Sequence, residues 1–287
     1  MTQNNKILDD LTIVLVSFYS NEKIDELISK INFNIKIIIV ENSLNTKYKK
    51  LIEDKHKNIT VIIPNKNLGN GGGINEGLKN AKTKYVLSLD PDVIISESTI
   101  LKLVAEANRV QNFAILAPKI SGQDYSEYII KYNDQVKLNQ ISFSTGCAIL
   151  LNKSVISFVG MFDENFFLYF EELDLYTRCI NLNKPIYLLD NISVEHIGTS
   201  SINLGLELKS KICRNWHYCW SKFYYYKKHF NYIYALKKTF PNLRRSIAQY
   251  IINKIKRNNE KALIHKAELQ GLIAAYFLQK PYYRISI

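Results

Sequence analysis

The sequence predicts an α/β domain, a mostly parallel sheet flanked by helices, followed by a basic and aromatic helical extension. Three observations carry this. Apolar β-branched runs alternate with amphipathic stretches through the first part of the chain. These runs are near-continuous in Val, Ile and Leu, the pattern of strands covered on both faces. The charge is also divided: residues 203–287 hold 17 of the 38 Lys+Arg but 3 of the 26 Asp+Glu, a net +14. That leaves 21 basic and 23 acidic residues, a net −2, for residues 1–202. The same 85-residue tail holds 16 of the 34 aromatics. Residues 1–202 therefore read as one domain and 203–287 as a different kind of segment.

Strands are expected at Leu11–Tyr19, Lys36–Val40, Ile59–Pro64, Lys84–Asp90 and Phe113–Ile120. Helices are expected between them at Asn21–Ile31, Thr46–Asp54, Ile74–Ala81 and Ser96–Val110, the last with Ser96 as N-cap. Strands alternating with helices imply right-handed βαβ crossovers. Past Ile120 the rhythm changes, and residues 121–139 are polar enough to form an exposed excursion. A strand at Ile141–Leu151, a short helix, a helix at Glu171–Asn181 and a strand at Ile186–Val194 follow. From about Leu204 the chain reads as helices rich in Lys, Arg and Tyr.

Several classes are disfavoured. With 47% hydrophobic and 22% charged residues, the chain is neither disordered nor fibrous. No apolar run reaches the ~18–20 residues that span a bilayer, and MTQNNKILDD has no secretory pattern. Cys147, Cys179, Cys213 and Cys219 form no C-x-x-C pair, which suits reduced cytosolic thiols better than a disulfide frame or zinc site. A pI near 9.3 would suit nucleic acid, but no nucleic-acid-binding motif accompanies the charge.

Ligands of open α/β sheets bind beyond the C-terminal strand ends. Polar residues stand there after each expected strand: Ser17-Phe18-Tyr19, Glu41-Asn42-Ser43, the stretch Asn65–Gly73, and Asp90-Pro91-Asp92. The Gly71–Gly73 run before a helix makes either a simple turn or a backbone cradle for an anion. It fits neither G-x-G-x-x-G nor a Walker A loop, which disfavours a nicotinamide dehydrogenase or P-loop ATPase. Asp90-Pro91-Asp92 is either a strand-capping turn or a pair of oxygen ligands for a divalent cation. His196, structural if alone, offers a third ligand beside Asp90 and Asp92. At helical spacing Glu171, Asp174 and Arg178 share one face, while Glu172 lies with Tyr176. Acidic residues in a first turn answer the helix dipole. The preceding Phe166–Phe170 stretch (FFLYF) would also partly desolvate these carboxylates and make one a better base.

Together the motifs LTIVLVSFYSN, ENS, PNKNLGNGGGINEGLKNA, YVLSLDPDVIIS, STGCAILLNKSV, GMFDENFFLYFEELDLYTRC and VEHIGTSS resemble the inverting family 2 glycosyltransferases of the GT-A fold. The branch they are most similar to is the bacterial rhamnosyltransferase-like one of O-antigen and capsule assembly. The resemblance covers about residues 10–202, with an echo at Lys211–Lys228. It implies a Rossmann-like nucleotide-diphospho-sugar transferase fold and Mn²⁺ or Mg²⁺ as cofactor. The implied donor-nucleotide residues are Ser17, Tyr19, Glu41, Ser43, Asn67, Gly69, Gly72, Gly73 and Asp90. Glu41 departs from the family's usual Asp. Asp90, Asp92 and His196 are the implied metal ligands, and Gly146 and Cys147 lie on the acceptor side. Glu172 takes the place of the family's catalytic Asp, with Glu171 and Asp174 beside it.

The implied donor is a dTDP- or UDP-sugar, with rhamnose first and galactofuranose or another hexose behind. The implied acceptor is a saccharide or a polyprenyl-diphosphate-linked glycan. A non-catalytic assembly module would have lost the carboxylates or the histidine, and a sugar nucleotidyltransferase would carry a Gly-rich basic loop where Ser17-Phe18-Tyr19-Ser20 stands. The stretch Trp216–Phe230 (WHYCWSKFYYYKKHF) reads either as an interfacial helix on an anionic membrane or as a cap whose aromatics pack inward. The first reading places the enzyme in the cytoplasm, at the inner face of the plasma membrane, with no nucleic-acid partner.

Overall fold

The computed structural model describes residues 8–31, 35–198 and 205–285. The expected boundary at residue 202 and the Thr199-Ser200-Ser201 end of VEHIGTSS lie outside them. The chain divides into two compact units. One comprises Met1–Leu68, Gly72–Phe162 and Leu175–Ser201, and the other Gly69–Gly71, Asp163–Asp174 and Ile202–Ile287.

The first unit begins with β1 (Leu11–Ser17), α1 (Asn21–Ser29), β2 (Lys36–Glu41), α2 (Thr46–Lys55), β3 (Ile59–Ile62), α3 (Gly69–Asn80) and β4 (Tyr85–Leu89). It continues through β5 (Val93–Ile94), α4 (Glu97–Val110), β6 (Ile115–Ile120), β7 (Ile129–Asn133), β8 (Leu138–Ile141), β9 (Ala148–Asn152) and α5 (Lys153–Val159). Helix α6 (Glu171–Asn181) and strand β10 (Ile186–His196) follow, with Gly69–Gly71 of α3 and Glu171–Asp174 of α6 counted in the second unit. The strand order is β3-β2-β1-β4-β9-β6-β10-β8-β7, with β5 paired to β10. The first four strands are parallel neighbours, as their apolar runs predict. Beyond them the sheet is mixed, because β9 lies antiparallel between β4 and β6. Helix α4 starts where expected: the Ser96 hydroxyl accepts from the Thr99 N–H at 3.2 Å.

The structure differs from the sequence reading in three places. The polar stretch 121–139 contains β7 and the start of β8, which pair antiparallel. Strand β7 is largely exposed, so it needs no apolar run to mark it. The strand expected at Ile141–Leu151 is two strands, β8 and β9, interrupted at 142–147. Helix α3 starts at Gly69, so Gly71–Gly73 lie inside the helix and form no loop before it. The reason is packing on β1. A Cβ at Gly73 would stand 2.7 Å from the Val16 side chain, and one at Gly77 would overlap Val14.

The second unit is built on α7 (Glu207–His229), α8 (Tyr232–Ile255) and α9 (Asn259–Tyr276). Trp216, Trp220 and Phe223 are buried against Ala235, Ala267, Ala274 and Ala275. Their i, i+4, i+7 spacing is one face of a helix. Trp216, Trp220, Phe223 and Tyr225 are therefore core, as the inward-packing one of the two readings expects, while Tyr218 and Phe230 are exposed. Gly271 of α9 sits directly on the Trp216 carbonyl. Cys147, Cys179, Cys213 and Cys219 are buried thiols, and burial pushes Cys179 and Cys219 up to about 12. Among the described residues no helix is long and apolar enough to cross a membrane.

Candidate active site

The parallel register sets Ser17 beside Glu41 at the ends of β1 and β2. Ser17 is buried and donates to Asn21 Oδ1 at 2.8 Å. Glu41 is also fully buried, and its carboxylate serves its own loop. It accepts from the backbone N–H of Ser43 at 2.9 Å and of Asn45 at 2.7 Å, and from the Ser43 hydroxyl. Tyr19 adopts φ 53 and donates its N–H to Ser43 Oγ at 3.3 Å. The Asn42 side chain accepts from the Leu68 N–H at 3.2 Å, just past half-buried Asn67. Gly72 is buried within α3, as is Gly73.

The start of α3 is tied to the segment that precedes α6. Gly69 has φ +76, and a Cβ there would collide with the Phe167 carbonyl, so the position takes only glycine. The Asn70 N–H donates to that carbonyl at 3.1 Å, and Asn70 Nδ2 donates to Glu171 Oε1 at 3.1 Å. Tyr169 and Phe170, directly before α6, adopt φ 65 and 68. Two successive aromatic residues in the left-handed region are a strained backbone, of the kind found at functional sites.

Helix α6 opens with Glu171, Glu172 and Asp174. Glu171 and Asp174 are buried, and Glu172 is half-buried. Asp174 accepts from His229 Nε2 at 2.8 Å and pairs with Lys228 Nζ at 2.7 Å. Lys228 also reaches Asp163 Oδ2 at 2.7 Å, and the Tyr224 hydroxyl donates to the same oxygen at 3.1 Å. Burial works against ionising Asp163, but the Lys228 ammonium and the Asn165 hydrogen bonds together outweigh it and hold the carboxyl below its ordinary range. At the other end of α6, Arg178 donates to the Val159 and Met161 carbonyls.

The DPD turn is held by β9 on one side and β10 on the other. The Asp90 N–H donates to the Cys147 carbonyl at 2.7 Å, which places Gly146-Cys147 beside the first aspartate. Strand β5 pairs antiparallel with β10 so that His196 lies opposite Val93. The Asp92 carbonyl accepts from the Ile197 N–H at 3.2 Å. In consequence His196 Nε2 stands 3.2 Å from Asp92 Oδ1. One donor atom each from Asp90, Asp92 and His196 lies within 4.8 Å of the others, and all three residues are half-buried. Two carboxylates and an imidazole, converging yet open to solvent, fit a divalent cation.

Residues 12–171, more than half of the chain, match the family described as Glycosyl transferase family 2. The chain belongs to this family. The chain is 25% identical over 195 residues to the low-salt glycan biosynthesis hexosyltransferase Agl10 of Haloferax volcanii. That similarity covers 60% of the chain and 62% of the relative's length. The fold is shared with the mannosyltransferase PcManGT of Pyrobaculum calidifontis, solved with GDP-Man and Mn²⁺. The TM-score is 0.58 at 10% identity, over 94% of this chain and 88% of that one. It is shared also with residues 1–349 of S. aureus TarS, solved with UDP-GlcNAc: TM-score 0.53, 14% identity, 97% and 94% covered.

Three residues of this chain have contacts to which the sequence reading assigns no role: Asn70, Lys228 and His229. Asn70 is hidden in a glycine run that draws attention to backbone freedom. Lys228-His229 ends a basic aromatic stretch that reads as a surface, and only the fold shows it reaching Asp174.

Proposed function

We propose that this glycosyltransferase moves a hexose from a nucleoside-diphosphate sugar to a saccharide or lipid-linked hydroxyl, with inversion at the anomeric carbon. The observation that carries the reading is the convergence of Asp90, Asp92 and His196. These residues would hold Mn²⁺ or Mg²⁺, and such an ion supplies positive charge to a diphosphate leaving group. The GDP-Man and Mn²⁺ bound by PcManGT and the UDP-GlcNAc bound by TarS support the same donor class. The hexosyltransferase name of the Haloferax relative supports a hexose.

Ser17, Tyr19, Glu41, Ser43, Asn67, Gly69, Gly72, Gly73 and Asp90 form the proposed nucleotide side, and Gly146-Cys147 the acceptor side. Glu41, whose carboxylate is engaged in its own loop, acts by shaping that loop. Glu172 takes the proton from the acceptor hydroxyl, while Glu171 and Asp174 fix the first turn of α6. Rhamnose from a dTDP donor is the first sugar to test, on the strength of the motif resemblance, in an O-antigen or capsule context. The basic residues 203–287 keep the enzyme peripheral to the cytoplasmic face of the membrane, and residues 1–202 carry the chemistry.

The test is a thermal-shift screen of nucleoside diphosphates and their sugars with and without Mn²⁺, since a ligand bound only by the native state raises its stability. Asp92→Ala should lose the Mn²⁺-dependent shift, and an unchanged titration would sink the metal assignment. Glu172→Gln should keep the shift yet lose about 10²–10⁴-fold in turnover. Full turnover in that variant would move the base to Glu171 or Asp174.

A further inference from the structure

Helix α8 turns small and polar residues inward and large apolar residues outward. Its buried positions are Ala235, Thr239, Ser246 and Asn253. Ile233, Phe240, Ile247, Ile251 and Ile255 are exposed, from 43% at Ile247 to 76% at Ile255. At about 100° per residue these five side chains fall in one arc of roughly 80°, opposite the buried set. Lys237 and Arg244 project from the same arc, and both are exposed. The helix carries Lys237, Lys238, Arg244, Arg245 and Lys254 and no carboxylate at all. An exposed apolar stripe of this length, interleaved with cations, marks an interaction surface.

We propose that this outward face of α8 docks on an anionic lipid bilayer. The Ile and Phe side chains enter the headgroup–acyl boundary, and Lys237 and Arg244 meet lipid phosphates, the arrangement of a helix lying in the interfacial plane. Charge selects this occupant. Two copies of α8 face to face would oppose two cationic rows with no acid on either helix to answer them. A nucleic-acid backbone would answer the cations but leave five large apolar side chains without a partner. The inference rests on the peripheral-membrane reading above and moves its contact surface from α7, whose Trp216, Trp220 and Phe223 are core, to α8.

Sedimentation of the full chain with phosphatidylcholine vesicles, and with vesicles that also contain phosphatidylglycerol, tests this. Binding to the mixed vesicles, weakened by salt, is expected. The triple variant Phe240→Ser/Ile251→Ser/Ile255→Ser and the double variant Lys237→Glu/Arg244→Glu should each lower it by about tenfold or more. Both should keep the helical circular dichroism and the nucleotide thermal shift, so loss of binding is separable from loss of fold or of donor recognition. If both variants still bind mixed vesicles like the parent, the α8 assignment fails while the peripheral-membrane reading stands. If the parent binds neither vesicle, both fail. A concentration-dependent dimer by light scattering, dissolved by the triple variant, would give the face to a second copy and overturn the proposal.

Discussion

Lys228 stands 2.7 Å from two carboxylates at once, Asp163 and the fully buried Asp174. Its own head is only partly exposed, so removing it leaves acid groups in a poorly solvated place. Breaking a fully buried pair costs about 3–5 kcal/mol and an exposed one about 0–1 kcal/mol; with Lys228 27% exposed, the loss falls between, about 1–4 kcal/mol. Lys228→Met is therefore expected to lower the denaturant midpoint by an amount in that range, whereas Lys228→Arg should recover most of the loss. Parent-like stability in the Met variant would mean that His229 alone satisfies Asp174. Asp163 adds a pH term. Its carboxyl lies below its ordinary value despite burial, so its contribution is complete above about pH 4 and lost as the pH falls through the native value.

Helix–helix and helix–strand spacing in this molecule is set by glycines. Gly73 and Gly77 let α3 close on Val16 and Val14, and Gly271 lets α9 close on the Trp216 carbonyl. Alanine in a helix interior is worth about 1 kcal/mol over glycine by propensity, so Gly→Ala at an uncrowded site would stabilise. At Gly271 the new methyl meets backbone that cannot rotate away, and overpacking costs typically about 1–3 kcal/mol. Gly271→Ala should lower the melting temperature; a rise would show that α9 shifts freely. These glycines also explain what the sequence hides at this scale. Strands β1, β2 and β4 are legible because their residues are buried on both faces. Gly69–Gly73 reads as loop because glycine disfavours a helix, and the compensation comes from Val14 and Val16, which no local pattern reveals. In the same way the apolar period of Trp216, Trp220 and Phe223 marks a buried face, but the lysines between them suggest a wet one.

Across the whole molecule, acid should destabilise more steeply than the net charge of +12 alone requires. His217 is fully buried, and desolvation pushes its pKa from 6.5 down to about 4, against the pull of the Tyr283 carbonyl at 2.8 Å from its Nε2. The unfolded chain takes up this proton near pH 6.5 and the native state only near 4, so stability falls as the pH drops between them. The loss is on the order of 3 kcal/mol. Thermal melts from pH 7 to pH 4 should show it, and His217→Gln should flatten the curve; an identical pH profile in the variant would remove His217 as the cause.

The site shows the same division between local and long-range information. Asp90 and Asp92 are legible as polar residues at a buried strand's end. His196 is legible as a third ligand only in company with Asp90 and Asp92, and it is the pairing of β5 with β10 that brings it to Asp92.

The left-handed pair Tyr169-Phe170 has a consequence for engineering. Each such residue holds about 1–3 kcal/mol of strain, released in principle by glycine or asparagine. A library screened for heat resistance would therefore draw changes at these two positions. Its winners would carry a relaxed approach to Glu171 and Glu172, and selection for robustness would discard the geometry that holds the carboxylates in place.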